Sequence, residues 1–564
     1  MLLSDTEITA LATEAGMITP FIPALVRTRR DNRRVLSYGL SSYGYDLRLS
    51  PREFYTFQPL REGDTTRHAT VDPKDFDPAH LTPAPLHNSP EGDSYFVLPA
   101  HSYGLGVAIE HLALPADITA LFIGKCLTGD TRVLNTETGR YAPIREFQGG
   151  MTAAYTEGQG MASSVATAVI PQGKKEVFRL RTKSGRAICA TASHPFLSPA
   201  GWTRLDQLVI GSEIASPRCI PFFGKGDLSI DEAVLMGLMI SEGQCCVSGS
   251  SPSFTNKDAV LVGLLSSTVR SVTNQEVSPS GECGYRLVNK LGRGGVATKN
   301  RATIWLQEHG MAVKSAEKYV PTKVFEAPRP VIAAFLRALF SGDGSVYKRS
   351  SVIKGKQYQS IAIEYSSTSK RLIEDVRHLL LRFGIGSRCY AKQPPKGQKA
   401  YVLLILKSAC QLKFFSEIGF WPGSSNQQKF EQGLGDILHA VKSRQPKDPH
   451  IEWDQVVSVE ACGEEEVYDI SVPGPANFVA NDIIVHNSTY ARCGVIANTT
   501  PGEAGWHGHL TLEFSNSSSS PCRIYTGEGI VQALFFRGAP CATCYETRAG
   551  KYQDQPERVV TARI

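Results

Sequence analysis

The two ends of this chain read alike and its middle does not. Up to about residue 125 the sequence is short strand-like runs broken by Pro and Gly, as at 43–49, 95–98 and 105–109. The same texture returns at 509–514 and 530–536. Short strands at this spacing predict an all-β barrel or sandwich. From about 230 to 425 apolar residues instead recur at helical spacing, as at 231–240, 331–340 and 370–383. At ~100–200 residues per domain, 564 residues are too many for one core. The order β, mixed, β therefore points to one domain inserted into another.

Composition narrows the classes. With 42% hydrophobic and 20% charged residues the chain is globular, which excludes a disordered or collagen-like protein. No apolar run approaches ~18 residues, and Arg337 interrupts 331–340, so no transmembrane span and no membrane partner are expected. The start lacks the basic region and apolar stretch of a signal peptide. Thirteen scattered cysteines, an odd number, fit a reduced, cytoplasmic chain better than a disulfide framework. Ser4 and Glu7 stand as a capping box before Ile8, Leu11 and Ala12 and predict an N-terminal helix.

Two short segments look like the ends of the insertion: Cys126-Leu-Thr-Gly-Asp and Asn481-Asp-Ile-Ile-Val-His486-Asn487-Ser488. They hold what peptide-bond exchange requires. A thiol can attack the preceding carbonyl, and an Asn can cyclise through its amide and cut its own peptide bond. His486 can move a proton, and the Ser488 hydroxyl can receive the acyl group. His-Asn-Ser alone is worth little, because a second copy stands at 87–89, but that copy has no cysteine upstream. The segments resemble the two termini of an intein. Thr191-Ala-Ser-His194 resembles the family's TxxH block, whose His assists the first acyl shift, and Val467-Tyr-Asp469 the block whose Asp supports the coupling steps. The resemblance implies four steps. Cys126 attacks the Lys125 carbonyl and forms a thioester. Ser488 takes the acyl group as a branched ester. Asn487 cyclises and frees the insert. An O-to-N shift then joins Lys125 to Ser488.

Removing the 362 residues of 126–487 leaves 202, the size of one domain. The joined string reads Gly-Lys125-Ser488-Thr-Tyr-Ala-Arg492-Cys-Gly. A phosphate loop would need Gly at 119, where Thr stands. The string instead resembles the signature of dCTP deaminases. Residues 41–49, 498–501, 506–516, 527–536 and 550–555 resemble further motifs of that family, so the resemblance covers most of the 202. It implies an all-β dUTPase-like barrel with a minor helix, dCTP as substrate, Mg²⁺ with the nucleotide, and a homotrimer with sites at subunit interfaces. Deamination at C4 of cytosine needs an activated water and a protonated leaving amine, work for a carboxylate of raised pKa. By the resemblance Glu513 is that acid and base, on a buried strand and pointing opposite to Leu512 and Phe514. Ser488 and Arg492 position base and water. Lys125, Thr489, Thr500, Tyr545, Lys551 and Gln555 are candidates for substrate contacts, Arg and Lys suiting a triphosphate through charge-assisted hydrogen bonds.

Two rival readings stand beside this one. Pro540-Cys-Ala-Thr-Cys544 with His450-Ile-Glu452 mimics the zinc-deaminase signature. The His lies in the segment to be excised, and one CxxC offers two ligands where zinc wants three or four. No zinc is expected, and the cysteines read as two surface thiols. An enzyme of the same fold that carries dUTP on to dUMP stays open as an alternative.

Within the insert, residues 235–243 and 336–344 look alike, each an apolar helix ending in an acid and Gly. They resemble the paired motifs of LAGLIDADG homing endonucleases. The resemblance implies two helices in close contact at small residues such as Gly237. Glu242 and Asp343 would meet at the helix ends to hold a divalent metal for cleavage of double-stranded DNA, with Lys318 as the basic residue. Glu242 stands where Asp is commoner. A chain that has lost splicing and acts only as an endonuclease is the other alternative.

The expected division is 1–125 and 488–564 for the deaminase, 126–225 and 426–487 for a β-rich splicing (Hint) domain, and 226–425 for an α/β endonuclease domain. Charge divides along the same lines. The net +6 splits into −3 on the flanks and +9 on the insert, where a DNA-binding domain needs it.

Overall fold

The computed structural model describes residues 1–564 except 2, 30, 42–43, 58–73, 75, 124–125, 167, 246–250, 290–299, 354–355, 395–397, 442–447, 473–474, 476, 487–494, 517, 519 and 563–564.

The flanks fold together. Strand Tyr103–Ala113 pairs antiparallel with His507–Asn516, which pairs with Val495–Asn498. Gly529–Arg537 pairs with both Gly44–Phe57 and Ile118–Ile123. These pairings build a ten-stranded sheet that draws on both sides of the insert. The alternation of buried and less buried residues along His507–Asn516 turns Leu510, Leu512 and Phe514 inward. They join Leu3, Tyr45, Phe54 and Phe96 in a core whose described buried residues fall within 3–122 and 495–535. The helix Asp5–Glu14 starts as the capping box requires: Glu7 N–H donates to Ser4 Oγ, and the Glu7 carboxylate accepts from Ser4 N at 2.9 Å.

The insert builds its own cores, drawn only from residues 126–485. Apolar contacts of the two parts are thus satisfied separately, which is what independent folding units show. One β-rich body holds a five-stranded sheet containing Leu127–Thr128, Ala168–Thr182, Ala187–Ala190 and Ile451–Ser471. A six-stranded sheet beside it contains Pro195–Ser198, Gly201–Arg204, Asn477–Ala480 and Ile483–His486.

The helical middle is a duplicated unit. Ile230–Ser241 and Arg329–Gly342 pack side by side, and each leads into a four-stranded antiparallel sheet. A Cβ on Gly237 would lie 2.6 Å from Phe335 O, so only glycine permits this approach. Helix Ser425–Val441 packs on the second of these sheets, with Phe430 stacked on Phe415 at 4.9 Å. The expected boundary at 425/426 therefore falls at the start of a helix that belongs to the helical unit, and the β-rich body resumes at Ile451. Among the described residues no helix is long and apolar enough to cross a membrane.

Candidate functional site

Cys126 sits at the head of the insert, almost fully buried. Its N–H donates to Thr191 Oγ1 at 3.1 Å, and Thr191 N–H returns a bond to Cys126 O at 3.1 Å. The adjoining residues Leu127 and Thr128 pair with Tyr468 and Val467, which brings Asp469 close enough to act on the thiol. Burial pushes the Cys126 thiol up to about 12; Lys175, with Nζ 3.7 Å from Sγ, pulls it down and Asp469 raises it. The group is therefore held as a thiol, and its attack needs proton removal in step with bond formation. His194 is buried, one turn from Thr191, with its N–H bonded to Thr191 O at 3.0 Å. From that turn the chain runs into Pro195–Ser198, which pairs with Ile483–His486. His486 meets Trp202 edge to face at 4.5 Å between ring centroids. One segment, 191–198, thus touches both ends of the insert. Lys125, Asn487, Ser488, Thr489 and Arg492 lie outside the described residues.

In the flanking domain Glu513 stands between buried Leu512 and Phe514 and points the other way, opposite Asn498 and Leu105 on the neighbouring strands. The strand lies within the ten-stranded sheet, and the Glu513 side chain, turned away from its buried neighbours, is exposed. Surrounding protein still pushes its carboxyl above the usual range by desolvation. Gln555 is buried against the same strand, with His509 N–H donating to Gln555 O at 2.9 Å. Gly508 allows this approach, since a Cβ there would lie 2.7 Å from Gln555 N. Tyr545 is half-buried, its OH accepting from Tyr552 N at 3.1 Å, while Thr500 and Lys551 are exposed. Cys541 is exposed but Cys544 is buried against Gly505, which corrects the reading of two surface thiols. No described cysteine is in a disulfide, and among the described residues no group of three or more His, Cys, Asp or Glu is placed to hold a metal.

In the insert, Glu242 and Asp343 cap the two packed helices. Asn256 Nδ2 donates to Glu242 Oε1 at 2.9 Å, and Lys318 Nζ donates to Ile240 O at 2.7 Å and Gly243 O at 3.0 Å. Burial, then the Glu242 charge, pushes Asp343 up to about 7, against the pull of Lys318. Burial likewise raises Glu242 and lowers Lys318. An acid with a raised folded-state pKa binds its proton more tightly when folded. Its stabilisation is full below the unfolded value of about 3.9 and is lost as pH rises through the folded value. Without divalent metal, stability should fall between pH 4 and 8 by a few kcal/mol, at about 1.4 per unit. Asp343→Asn should flatten most of that slope in thermal melts of the precursor blocked by Cys126→Ala and Asn487→Ala. An unchanged slope would show that the pair is not strained.

Sequence reasoning passed over Lys175, which reaches the thiol only through the long pairing of Ala168–Thr182 with Ile451–Ser471. No local signal marks it.

Comparisons with known proteins divide the chain in the same way. A LAGLIDADG-like domain model matches residues 330–419, and a dCTP deaminase-like model matches residues 472–538. The dCTP deaminase of Acinetobacter baumannii (strain AYE) is 55% identical over 74 residues, 13% of this chain and 39% of that protein. The replicative DNA helicase DnaB of Rhodothermus marinus is 30% identical over 447 residues, covering 66% of this chain and 46% of that one. The chain thus spans less than half the length of these curated relatives. Among solved structures, the Ssp DnaB mini-intein variant M86 covers 65% of this chain and 96% of its own, at 17% identity and a TM-score of 0.24. This chain carries a dCTP deaminase-like region towards its C-terminal end and a LAGLIDADG-like domain in its middle.

Proposed function

We propose that the chain is a precursor that splices itself and releases a dCTP deaminase. The observation that carries this reading is the separation of cores: residues 3–122 and 495–535 pack with each other, and residues 126–485 pack among themselves. In the proposed sequence Cys126 Sγ attacks the Lys125 carbonyl while the His194 turn receives and returns the proton. The acyl group moves to Ser488 Oγ. Asn487 cyclises with His486 as proton carrier, Asp469 supports the coupling, and amide formation joins Lys125 to Ser488.

In the joined enzyme Glu513 activates water for attack at C4 of dCTP and passes the proton to the departing ammonia, giving dUTP for thymidylate synthesis. Its raised carboxyl supports this role. The resemblance to dCTP deaminases implies a homotrimer with its sites at the subunit interfaces. Ser488 and Arg492 orient base and water. Lys125, Thr489, Thr500, Tyr545, Lys551 and Gln555 surround the nucleotide, which binds with Mg²⁺. Glu513→Gln in the spliced enzyme should lower dCTP turnover by about 10²–10⁴-fold, measured as dUTP and ammonia released. A smaller loss would remove Glu513 from the chemistry. Release of dUMP would establish the bifunctional alternative.

For the insert, Glu242 and Asp343 fit a divalent metal: two carboxylates pushed towards neutrality by burial lie together, and a cation would let both ionise. When bound, it would supply the Lewis acid for phosphodiester cleavage of double-stranded DNA. Lys318 keeps the end of the first helix in place through Ile240 and Gly243.

A further inference from the structure

Among the described residues a side-chain hydrogen bond crosses from insert to host, from Arg204 to Ser41. Arg204 ends the strand Gly201–Arg204, and its Nε donates to Asp206 Oδ1 at 3.1 Å while Nη2 pairs with Oδ2. These side chains are mostly buried, 15% and 8% exposed. The remaining arm, Nη1, donates to Ser41 Oγ of the host at 3.3 Å. That hydroxyl also accepts from Gln532 Nε2 at 3.1 Å and donates to Gly44 O at 3.0 Å. A hydroxyl has one proton to give and two lone pairs, so Arg204 completes it.

The surroundings give this contact its meaning. Gln532 lies opposite Ile123, three residues before Cys126. On the insert side Arg204 lies opposite Pro195, while Leu205 N donates to His194 O at 2.9 Å and Asp206 N to Ala192 O at 3.0 Å. The strand that starts at Pro195 pairs with the one that ends at His486. Arg204 therefore stands where Ser41 of the host, the Thr191–His194 turn and the strand ending at His486 meet.

We propose that Arg204 is a positioning residue that docks the folded host onto the splicing site and so ties the rate of splicing to the fold of the host. The proposal rests on the splicing reading above. Acyl transfer between chain ends responds to displacements of about 1 Å. The planar fork of Arg holds Asp206 and Ser41 from separate nitrogens, whereas the single nitrogen of a Lys cannot stand at the Nε/Nη2 edge and at the Nη1 position at once.

The test follows disappearance of the 564-residue precursor on a denaturing gel, using full chains carrying Arg204→Ala, Arg204→Lys, Ser41→Ala and the Arg204→Ala/Ser41→Ala pair. Each single variant should splice about three- to tenfold more slowly. The double variant should be no slower than Arg204→Ala alone, as expected for two ends of one contact. Arg204→Lys keeps the ion pair with Asp206 and should match Ser41→Ala. Parental rates for Arg204→Lys and Ser41→Ala would place the role of Arg204 inside the insert and overturn the proposal, as would additive effects in the pair. A parent chain that does not splice is seen in the control before any variant is compared, and it would overturn the splicing reading and this proposal with it.

Discussion

A precursor carrying Cys126→Ala and Asn487→Ala should persist as a 564-residue chain and turn over dCTP at least ~10³-fold more slowly than the spliced enzyme. The host strands are already assembled around the insert, with Ile118–Ile123 paired to Gly529–Arg537 and Val495–Asn498 paired to His507–Asn516. The loss is therefore not one of folding. The string from Leu121 to Lys125 and the string from Ser488 to Gly494 must be continuous to place Lys125, Ser488 and Arg492 around one nucleotide. In the precursor, Cys126 and the strand ending at His486 are instead held in the sheets of the insert. Catalytic groups displaced by even ~1 Å lose about a hundredfold in rate, and here several are displaced together. Assay of the purified variant against the spliced enzyme decides the point. Turnover at the spliced rate would mean that the insert leaves the nucleotide site intact.

The second large effect concerns Asp482, five residues before Asn487. Its carboxylate is buried, accepts from His378 Nδ1 at 2.7 Å and faces Arg377 Nε at 3.7 Å. Burial alone would raise its pKa, but His378 and Arg377 outweigh burial and hold it well below the usual carboxylate range. His378 is held down at about 4, by burial first and with Arg382 and Arg132 opposing its charge. The neutral ring donates from Nδ1 and accepts from Arg382 Nε at 3.1 Å on Nε2. Arg382 then spans Phe325 O at 2.7 Å and Gly139 O at 2.6 Å. This network fastens helix Lys370–Arg382 of the endonuclease-like unit to the turn that leads into the last strand of the insert. Asp482→Ala would leave Arg377 and Arg382 buried without their counter-charge, which costs about 3–5 kcal/mol. Melting of the splicing-blocked precursor should show that loss, and splicing of the otherwise native chain should slow with it. A melting temperature equal to the parent's would mean that the helical unit is not coupled to the splicing body.

The legible parts of the structure were those with a local cause. The 3.6-residue period placed the helices Ile230–Ser241, Arg329–Gly342 and Lys370–Arg382 within a residue or two of their ends. Alternation placed His507–Asn516 and the outward turn of Glu513. Thr191 and Cys126, far apart in sequence, are brought into hydrogen-bond contact. What could not be read depends on pairing between distant strands. Lys175 reaches Cys126, and Arg204 reaches Ser41, only once sheets from separate segments have closed. No local pattern marks the packing of Cys544 against Gly505, so its burial departs from the surface position the sequence suggests. The helix Ser425–Val441 was assigned across a boundary because its packing partner, the sheet containing Ile361, lies some seventy residues away in sequence.

The central claim is that two proteins share this chain and part company by peptide-bond exchange. Intact mass measurement of the expressed chain, after separation on a denaturing gel, tests it directly. The account predicts a 202-residue species in which Lys125 is joined to Ser488 and a 362-residue species running from Cys126 to Asn487. A single species of 564 residues that persists under native conditions would contradict it.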